Sequence, residues 1–439
     1  MIPPIIHSRE HEPAFCLPFN EYREWLQQQQ TNSKKKETLG LYEKGNGFAP
    51  GNFIGMVWFG EGKKRAVLRV DSKFPTMDYV TMYAECASHS TIGDQLNCLH
   101  VWPEQELINT RGHDFSILTV ISYLRELNKF CQRHMRRHFI RERQNFIGKV
   151  KGKILIGENQ RRNIIRLDRI YCEYQSVSDD ILENQILRTA LERAARYFAE
   201  YRGKRDAFDI LPQWIRASRA TLRDVSTRHV KPGDFIAARK RGAFAFYARP
   251  LALAKAVLLQ LGPNPKAEIS QTQTPPFALD SAKLFERYTE VKLLEDSENF
   301  SELLPESQIR SPDAGDFDVI ACPDFYVRDN QTPRIIDAKY KKVDSAYFTD
   351  EKINDNKRNP KRDDINQIVT YSQHRELLRR MNCNDGDSVE LGLAYPYVGG
   401  IEKSIISKKQ TRAFMPPLTI YGIPCPAKKT TKKTSANDK

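Results

Sequence analysis

Paired cysteines are what this 439-residue sequence most plainly lacks. Its eight cysteines stand at 16, 86, 98, 131, 172, 322, 383 and 425, and no two are near neighbours along the chain. With no CxxC, a zinc ribbon, a clustered iron–sulfur site and a disulfide framework are all disfavoured. Scattered free thiols in a reducing cytoplasm are the expectation. Long apolar runs are also missing. The longest, Leu251 to Leu261, contains Lys255 and falls short of the roughly 20 residues that cross a bilayer. The opening MIPPIIHSREHEP shows no basic segment followed by an apolar one, so no signal peptide and no membrane partner are expected. Nor is there a GxxxxGK[ST], which leaves nucleotide hydrolysis to another chain.

What is present is positive charge and enough apolar residues for real cores. The sequence has 69 Lys+Arg against 55 Asp+Glu, a formal net charge of +14, and 40% hydrophobic residues. The surplus is concentrated mid-chain. Twelve Lys/Arg face three acids between Arg133 and Arg169, and twelve face four Asp between Arg202 and Arg249. Phe139, Phe146, Trp214, Phe244, Phe246 and Tyr247 are interleaved with them. Such stretches neutralise phosphates and suggest double-stranded DNA as a partner. Arg161 and Arg162, in GENQRRN, are read as an exposed turn after the strand KILIG and as DNA contacts; Lys341 and Lys342 are further DNA-contact candidates.

Five segments are expected. Residues 1–110 form a β-rich module, with strands FIGMVWFG (53–60) and RAVLRV (65–70) and a polar stretch at 27–37. Residues 111–262 form a mixed, largely helical basic region. Its helices are marked by Ile117, Leu118, Ile121, Leu124, Leu127 and Phe130, then by Ile186 to Phe198 with Asp179 or Asp180 as cap, then by Leu251–Leu261. Residues 263–277, with four prolines, make a linker. Residues 278–425 alternate helix (281–295), strands (317–328, 334–339), helix (about 363–380) and strand (389–397), an α/β domain within an α+β whole. Residues 426–439 are a basic tail.

The sharpest chemical signal is CPDFYVRDNQTPRIIDAKYKK, residues 322–342. Side chains at i and i+2 share one face of a strand, so Asp337 and Lys339 project together. Pairing across the turn-rich RDNQTP would bring Asp324 close to Asp337. Two carboxylates, with a backbone carbonyl such as that of Ala338, suit Mg²⁺, and Lys339 can orient a water or stabilise charge at an attacked phosphate. Asp313 is a rival for Asp324 but sits in the loop-like RSPDAGD, whereas Asp324 is flanked by strand residues. Asp363-Asp364 could cap a helix placing Gln367 and Tyr371 at i and i+4, and Glu286 offers an inward-capable acid on the preceding helix.

PD…DAK followed by QxxxY resembles the PD-(D/E)XK nucleases in their RecB-like branch. LFERY (284–288), IIDAKYK (335–341), DINQIVTYS (364–372) and LAYP (393–396) make the chain similar to McrC, the nuclease subunit of McrBC-type modification-dependent restriction systems. The resemblance covers roughly residues 110–400. It implies a restriction-endonuclease-like fold at the C-terminal end, Asp324 and Asp337 as ligands of Mg²⁺ (or Mn²⁺ in its place), Lys339 as catalytic lysine, and Glu286, Gln367 and Tyr371 as supporting residues. It also implies a hexameric AAA+ GTPase or ATPase partner on which the subunit docks and which it stimulates, and cleavage of modified DNA. A stand-alone RecB-like repair nuclease and an inactive motor-docking subunit are the rival readings.

Overall fold

The computed structural model describes residues 5–12, 39–45, 47–60, 65–110, 116–202, 208–260, 272–296, 300, 303–305, 309–310, 320–321, 323–327, 333–343, 348, 360–383, 388–398, 404–410 and 416–428. The polar stretch at 27–37, the rival Asp313 and most of the proline linker and basic tail lie outside them. The chain divides into two compact units, one made of Met1–Ile108 with Pro276–Lys439 and the other of Asn109–Pro275. The sequence reading set the segments 1–110 and 111–262 apart from 278–425. In the fold, Met1–Ile108 instead shares a unit with the region bearing the PD…DAK motif.

In the first unit the elements used below run, in chain order, β1 (Ile5–Arg9), β2 (Phe53–Phe59), β3 (Ala66–Asp71), α1 (Tyr79–Ser88), β4 (Leu99–Val101), β5 (Phe277–Asp280), α2 (Ser281–Glu295), β6 (Leu303–Pro305), β7 (Phe325–Val327), β8 (Arg334–Ala338), α3 (Arg362–Ser372), β9 (Glu390–Val398), β10 (Ile406–Gln410) and β11 (Leu418–Cys425). Two sheets result. The first has the order β1-β3-β2-β5-β4, so β5, which follows the whole second unit in the sequence, is inserted between β2 and β4. The second is mixed, β6-β7-β8-β9-β11-β10, with β8 parallel to β9 and β9 parallel to β11. A parallel pair buried on both faces reads as a near-continuous apolar run, as IIDA and ELGLAY do. Ile335, Leu391, Leu393 and Tyr395 of this sheet pack with Ile365, Ile368 and Tyr371 of α3. At about 1.5–3 kcal/mol per buried aliphatic side chain, this cluster supplies the stability that holds the polar end of β8 in place.

Helix α2 begins where Asp280 accepts the Lys283 N–H at 3.0 Å, an N-cap at the end of β5. It buries Leu284, Phe285, Tyr288 and Val291, one stripe at helical spacing. Helix α3 differs from the expectation at its start. Lys361 holds the cap position, and Asp363 and Asp364 lie in the first turn, where negative charge complements the helix dipole.

In the second unit, Ser116–Arg133, Leu182–Arg202, Leu211–Thr221 and Ala248–Gln260 pack as helices around Ile117, Ile121, Leu124, Ile186, Leu187, Leu191 and Leu251. Gly242–Leu259 is long and apolar enough to cross a membrane by length and composition; 33% of it is buried inside this unit, Tyr247, Leu251, Ala254, Ala256 and Val257 among the buried residues. Beside the helices, His138–Ile147 pairs antiparallel with Arg169–Ser178 along its whole length. Gly152 turns the chain into the short Lys153–Ile154 strand with a φ of +72°; a Cβ there would meet Glu173 O at 2.3 Å.

Three local expectations are corrected here. The strand at KILIG shrinks to Lys153–Ile154. GENQRRN is not a turn: Ile156–Asn163 is a helix with Glu158 in its first turn and Arg161 and Arg162 in its last, an arrangement that suits the dipole. Asp180 does not present its carboxylate to the helix start, because Ser226 and Gln185 donate to it.

Candidate active site

Strand register delivers the first carboxylate pair. In the β7–β8 ladder Phe325 faces Ile336, so Asp324, one residue before β7, meets the end of β8. Its Oδ2 accepts the Ala338 N–H at 2.6 Å. Asp337 is 2% exposed and forms an ion pair with Lys339, two residues on along the same strand face. The Lys339 N–H is itself held by Ala394 O of β9 at 2.7 Å.

From Lys339 a chain of hydrogen bonds runs into α3. The ammonium donates to Gln367 Oε1 at 2.8 Å, and Gln367 Nε2 donates to the Tyr371 hydroxyl at 2.7 Å. Because an ammonium can only donate, the Gln367 atom beside it must be oxygen, which fixes the amide orientation. Tyr371 is also a core residue, so its apolar ring anchors the relay.

Glu286 enters the same cavity from α2, with its Oε1 3.2 Å from Arg287 Nη2. The cavity measures about 450 Å³ and is lined by Glu286, Asp324, Asp337, Lys339 and Gln367. Burial pushes the Asp324 carboxyl well above the usual carboxylate range, and the charges of Asp337 and Glu286 push it further. Three carboxylates and one half-buried lysine around the cavity leave a surplus of negative charge.

That donor set suits a hard divalent cation that keeps most of its water. Among the described residues no three His, Cys, Asp or Glu side chains are gathered closely enough to cage a metal. Mg²⁺ needs only one or two carboxylates, and the crowding that raises Asp324 is what such an ion would relieve.

The remaining candidates divide. Lys341 forms an ion pair with the buried Asp364, which also accepts from the Tyr395 hydroxyl at 3.1 Å. Its charge is therefore tied to the joint between α3 and β9. Lys342 is exposed. Arg161 and Arg162 belong to the other unit; both are exposed, and Arg162 lies 3.7 Å from Glu158 and 4.5 Å from the Tyr171 ring centroid. A larger groove in that unit, about 820 Å³ and lined by Glu192, Arg196, Asp209, Arg216 and Arg219, shows no carboxylate–lysine pairing of the Asp337–Lys339 kind.

Residues that sequence reasoning missed also line the cavity: Asn52, Phe53, Asp280 and Lys283. Behind them Glu10, 2% exposed, accepts from Ser281 Oγ, from the Lys73 N–H at 2.9 Å and from the Tyr340 hydroxyl at 3.2 Å. Tyr340 in turn bonds the Tyr79 hydroxyl at 2.6 Å. Lys73 donates to Tyr340 O at 2.7 Å, and burial lowers its pKa to about 8 despite the nearby Glu10. Asp280 alone left a signal, as an acidic residue just before the apolar stripe of α2.

The family model described as McrBC 5-methylcytosine restriction system component matches residues 50–380. Two solved structures from Thermococcus gammatolerans are similar to the chain. One is a refined half-complex from a tetradecameric assembly of McrB AAA+ hexamers with bound McrC, at 14% identity and a TM-score of 0.40 over 96% of this chain and 94% of that one. The other is a cryo-EM structure of the McrBC complex, at 15% identity and a TM-score of 0.33 over 68% and 89%. No curated protein sequence matches.

Proposed function

The chain belongs to the family of McrBC 5-methylcytosine restriction system components, and on that premise we propose that it is the McrC-like nuclease subunit, cutting modified DNA by metal-dependent phosphodiester hydrolysis. One observation carries the reading: Glu286, Asp324, Asp337 and Lys339 meet in one cavity, with Lys339 held by Asp337 on one side and Gln367 on the other. A buried carboxylate pair costs stability, and nothing in the packing of β7 and β8 requires it.

Asp324 and Asp337 would hold Mg²⁺, or Mn²⁺ in its place, which when bound supplies an acidified water and neutralises charge on the phosphate. Lys339 has three N–H donors; it pairs with Asp337 and donates one hydrogen bond to Gln367, which leaves a donor to orient the attacking water or to meet a phosphate oxygen. Gln367 and Tyr371 fix where that donor points. Glu286 adds negative charge to the metal-binding wall. The water oxygen attacks phosphorus and the bond to one sugar oxygen breaks, giving two DNA ends. The partner is an AAA+ GTPase or ATPase hexamer, consistent with the missing phosphate-binding loop. Lys342 and the Arg161–Arg162 pair contact the DNA backbone.

The test is cleavage of methylated and unmethylated DNA with Mg²⁺, the AAA+ partner and nucleotide present. Asp337→Asn and Lys339→Met should each lower the rate by about 10³-fold while the protein remains folded and still binds its partner. Cutting at the wild-type rate by either variant would remove the site assignment. Vigorous cutting by the lone chain without nucleotide would favour a stand-alone nuclease.

A further inference from the structure

Asn52 lines the cavity that holds Asp324, Asp337 and Lys339, although it comes from the far end of the sequence. Its backbone carbonyl accepts the Ser281 N–H at 3.0 Å, which pins it beside the first turn of α2. Its side-chain Oδ1 faces two donors. Lys73 Nζ lies 3.3 Å away and His11 Nε2 lies 2.6 Å away.

The lysine settles the amide orientation. An ammonium has no lone pair to offer, so the atom facing it must be Oδ1 and not Nδ2. His11 Nε2 must then be the protonated ring nitrogen. Both lone pairs of Oδ1 are occupied, and the amide cannot flip without setting its NH₂ against an ammonium. The Asn52 Nδ2 donates to no group among the described residues.

Two features show that this arrangement is held at a cost. His11 reaches Asn52 from a left-handed backbone with a φ of 61°, a conformation that costs a non-glycine residue free energy. Lys73 is largely removed from water, and Lys341 and Lys342 repel it. Lys283 lines the same cavity two residues beyond Ser281. An amide with two unused N–H groups and a nearby ammonium make a wall that takes an anion.

We propose that Asn52 is a substrate-binding residue of the nuclease site, donating through Nδ2 to a non-bridging oxygen of the DNA phosphate being cut, with Lys283 adding charge. His11 and Lys73 act as positioning residues that lock the amide. This inference rests on the nuclease reading above.

The discriminating variant is Asn52→Asp, tested in the full chain with partner, nucleotide and saturating Mg²⁺. It is isosteric and keeps an oxygen for both His11 and Lys73, but it removes both N–H donors. A single-turnover cleavage rate lowered by about 10- to 100-fold, with the melting temperature unchanged or raised, is the expected result; that range matches loss of one hydrogen bond to a charged group. Asn52→Ala should show a similar fall, and Lys73→Met, which permits the flip, a smaller one. Were Asn52 only a brace, Asn52→Asp would cut like wild type, and that outcome overturns the proposal. Wild-type protein serves as the control for the underlying reading. If it cuts and Asn52→Asp cuts equally, only this inference fails; if wild type never cuts, the nuclease reading fails and takes the inference with it.

Discussion

Charge is handled differently around the cavity of one unit and on the arginine-rich surface of the other. In the unit holding the cavity, Glu10, Asp337 and Asp364 are each at most 3% exposed, and each is engaged by several donors or by a lysine. In the Asn109–Pro275 unit the surplus arginines are mostly exposed. Most of their ion pairs, Arg143 with Glu173 at 2.8 Å and Arg219 with Glu192 at 2.6 Å among them, lie at the surface, and the pair of Arg239 with the buried Glu183 is an exception. Surface pairs of this kind contribute about 0–1 kcal/mol each, whereas removing one partner of a buried network leaves donors unsatisfied at about 1–3 kcal/mol apiece. Under the nuclease reading, charge that folding would rather leave in water is what the cavity puts to use. Charge already in water marks a surface that can meet another charged molecule at little folding cost.

The strongest attempt to break this contrast is Glu10→Ala. It strips the acceptor from Ser281, the Lys73 N–H and Tyr340 together, and should destabilise the unit by about 3 kcal/mol. Urea unfolding followed by Tyr and Trp fluorescence reads the shift. A loss below about 1 kcal/mol would show that this buried network is no more costly to break than a surface pair.

Asp324→Asn sharpens the contrast from the other side, because here the native charge is the burden. A carboxyl whose folded pKa is raised binds its proton more tightly folded than unfolded. Stability therefore falls as pH rises from the unfolded value near 4 up through the raised folded value, and the full penalty is present above it. In EDTA, Asp324→Asn should melt higher than wild type at pH 7.5, with the gain shrinking toward pH 4. Mg²⁺ should raise the melting temperature of wild type and leave that of the variant nearly unmoved. A variant that melts lower at pH 7.5 would mean that burial and the neighbouring Asp337 and Glu286 do not oppose the Asp324 charge.

How much of this was legible in the sequence follows from distance along the chain. Asp337, Lys339, Gln367 and Tyr371 were readable because strand and helix periods decide which neighbours share a face, and the relevant spacings are i to i+2 and i to i+4. Asp324 required one hairpin pairing more. Asn52, Glu10 and Lys73 left no such trace. Glu10 meets Ser281 across 271 positions and Tyr340 across 330, and only the insertion of β5 between β2 and β4 brings their segments together. The error at GENQRRN was local: polarity was read as a turn, while the Glu158–Arg162 pair at i and i+4 already favoured a helix.

The smallest effect is expected where charge is already solvated. Arg161 and Arg162 occupy the last turn of Ile156–Asn163, and Asn163, not either arginine, carries that helix's buried contacts to Asn145 and Asn159. Replacing both arginines with Gln should change folding stability by under about 0.5 kcal/mol, since exposed substitutions away from caps and cores rarely do more. If the pair meets the DNA backbone, the slope of log K against log salt should fall in magnitude by up to roughly two, about 0.9 for each phosphate no longer neutralised. The loss should be nearly the same for methylated and unmethylated DNA, because phosphate contacts carry no base information. The slope and co-purification with the AAA+ partner are to be measured on the same double variant. An unchanged slope with lost co-purification would make this helix a docking surface for an acidic partner. If neither changes, these exposed arginines have no part in binding, and the contrast between costly and cheap charge stands on the cavity alone.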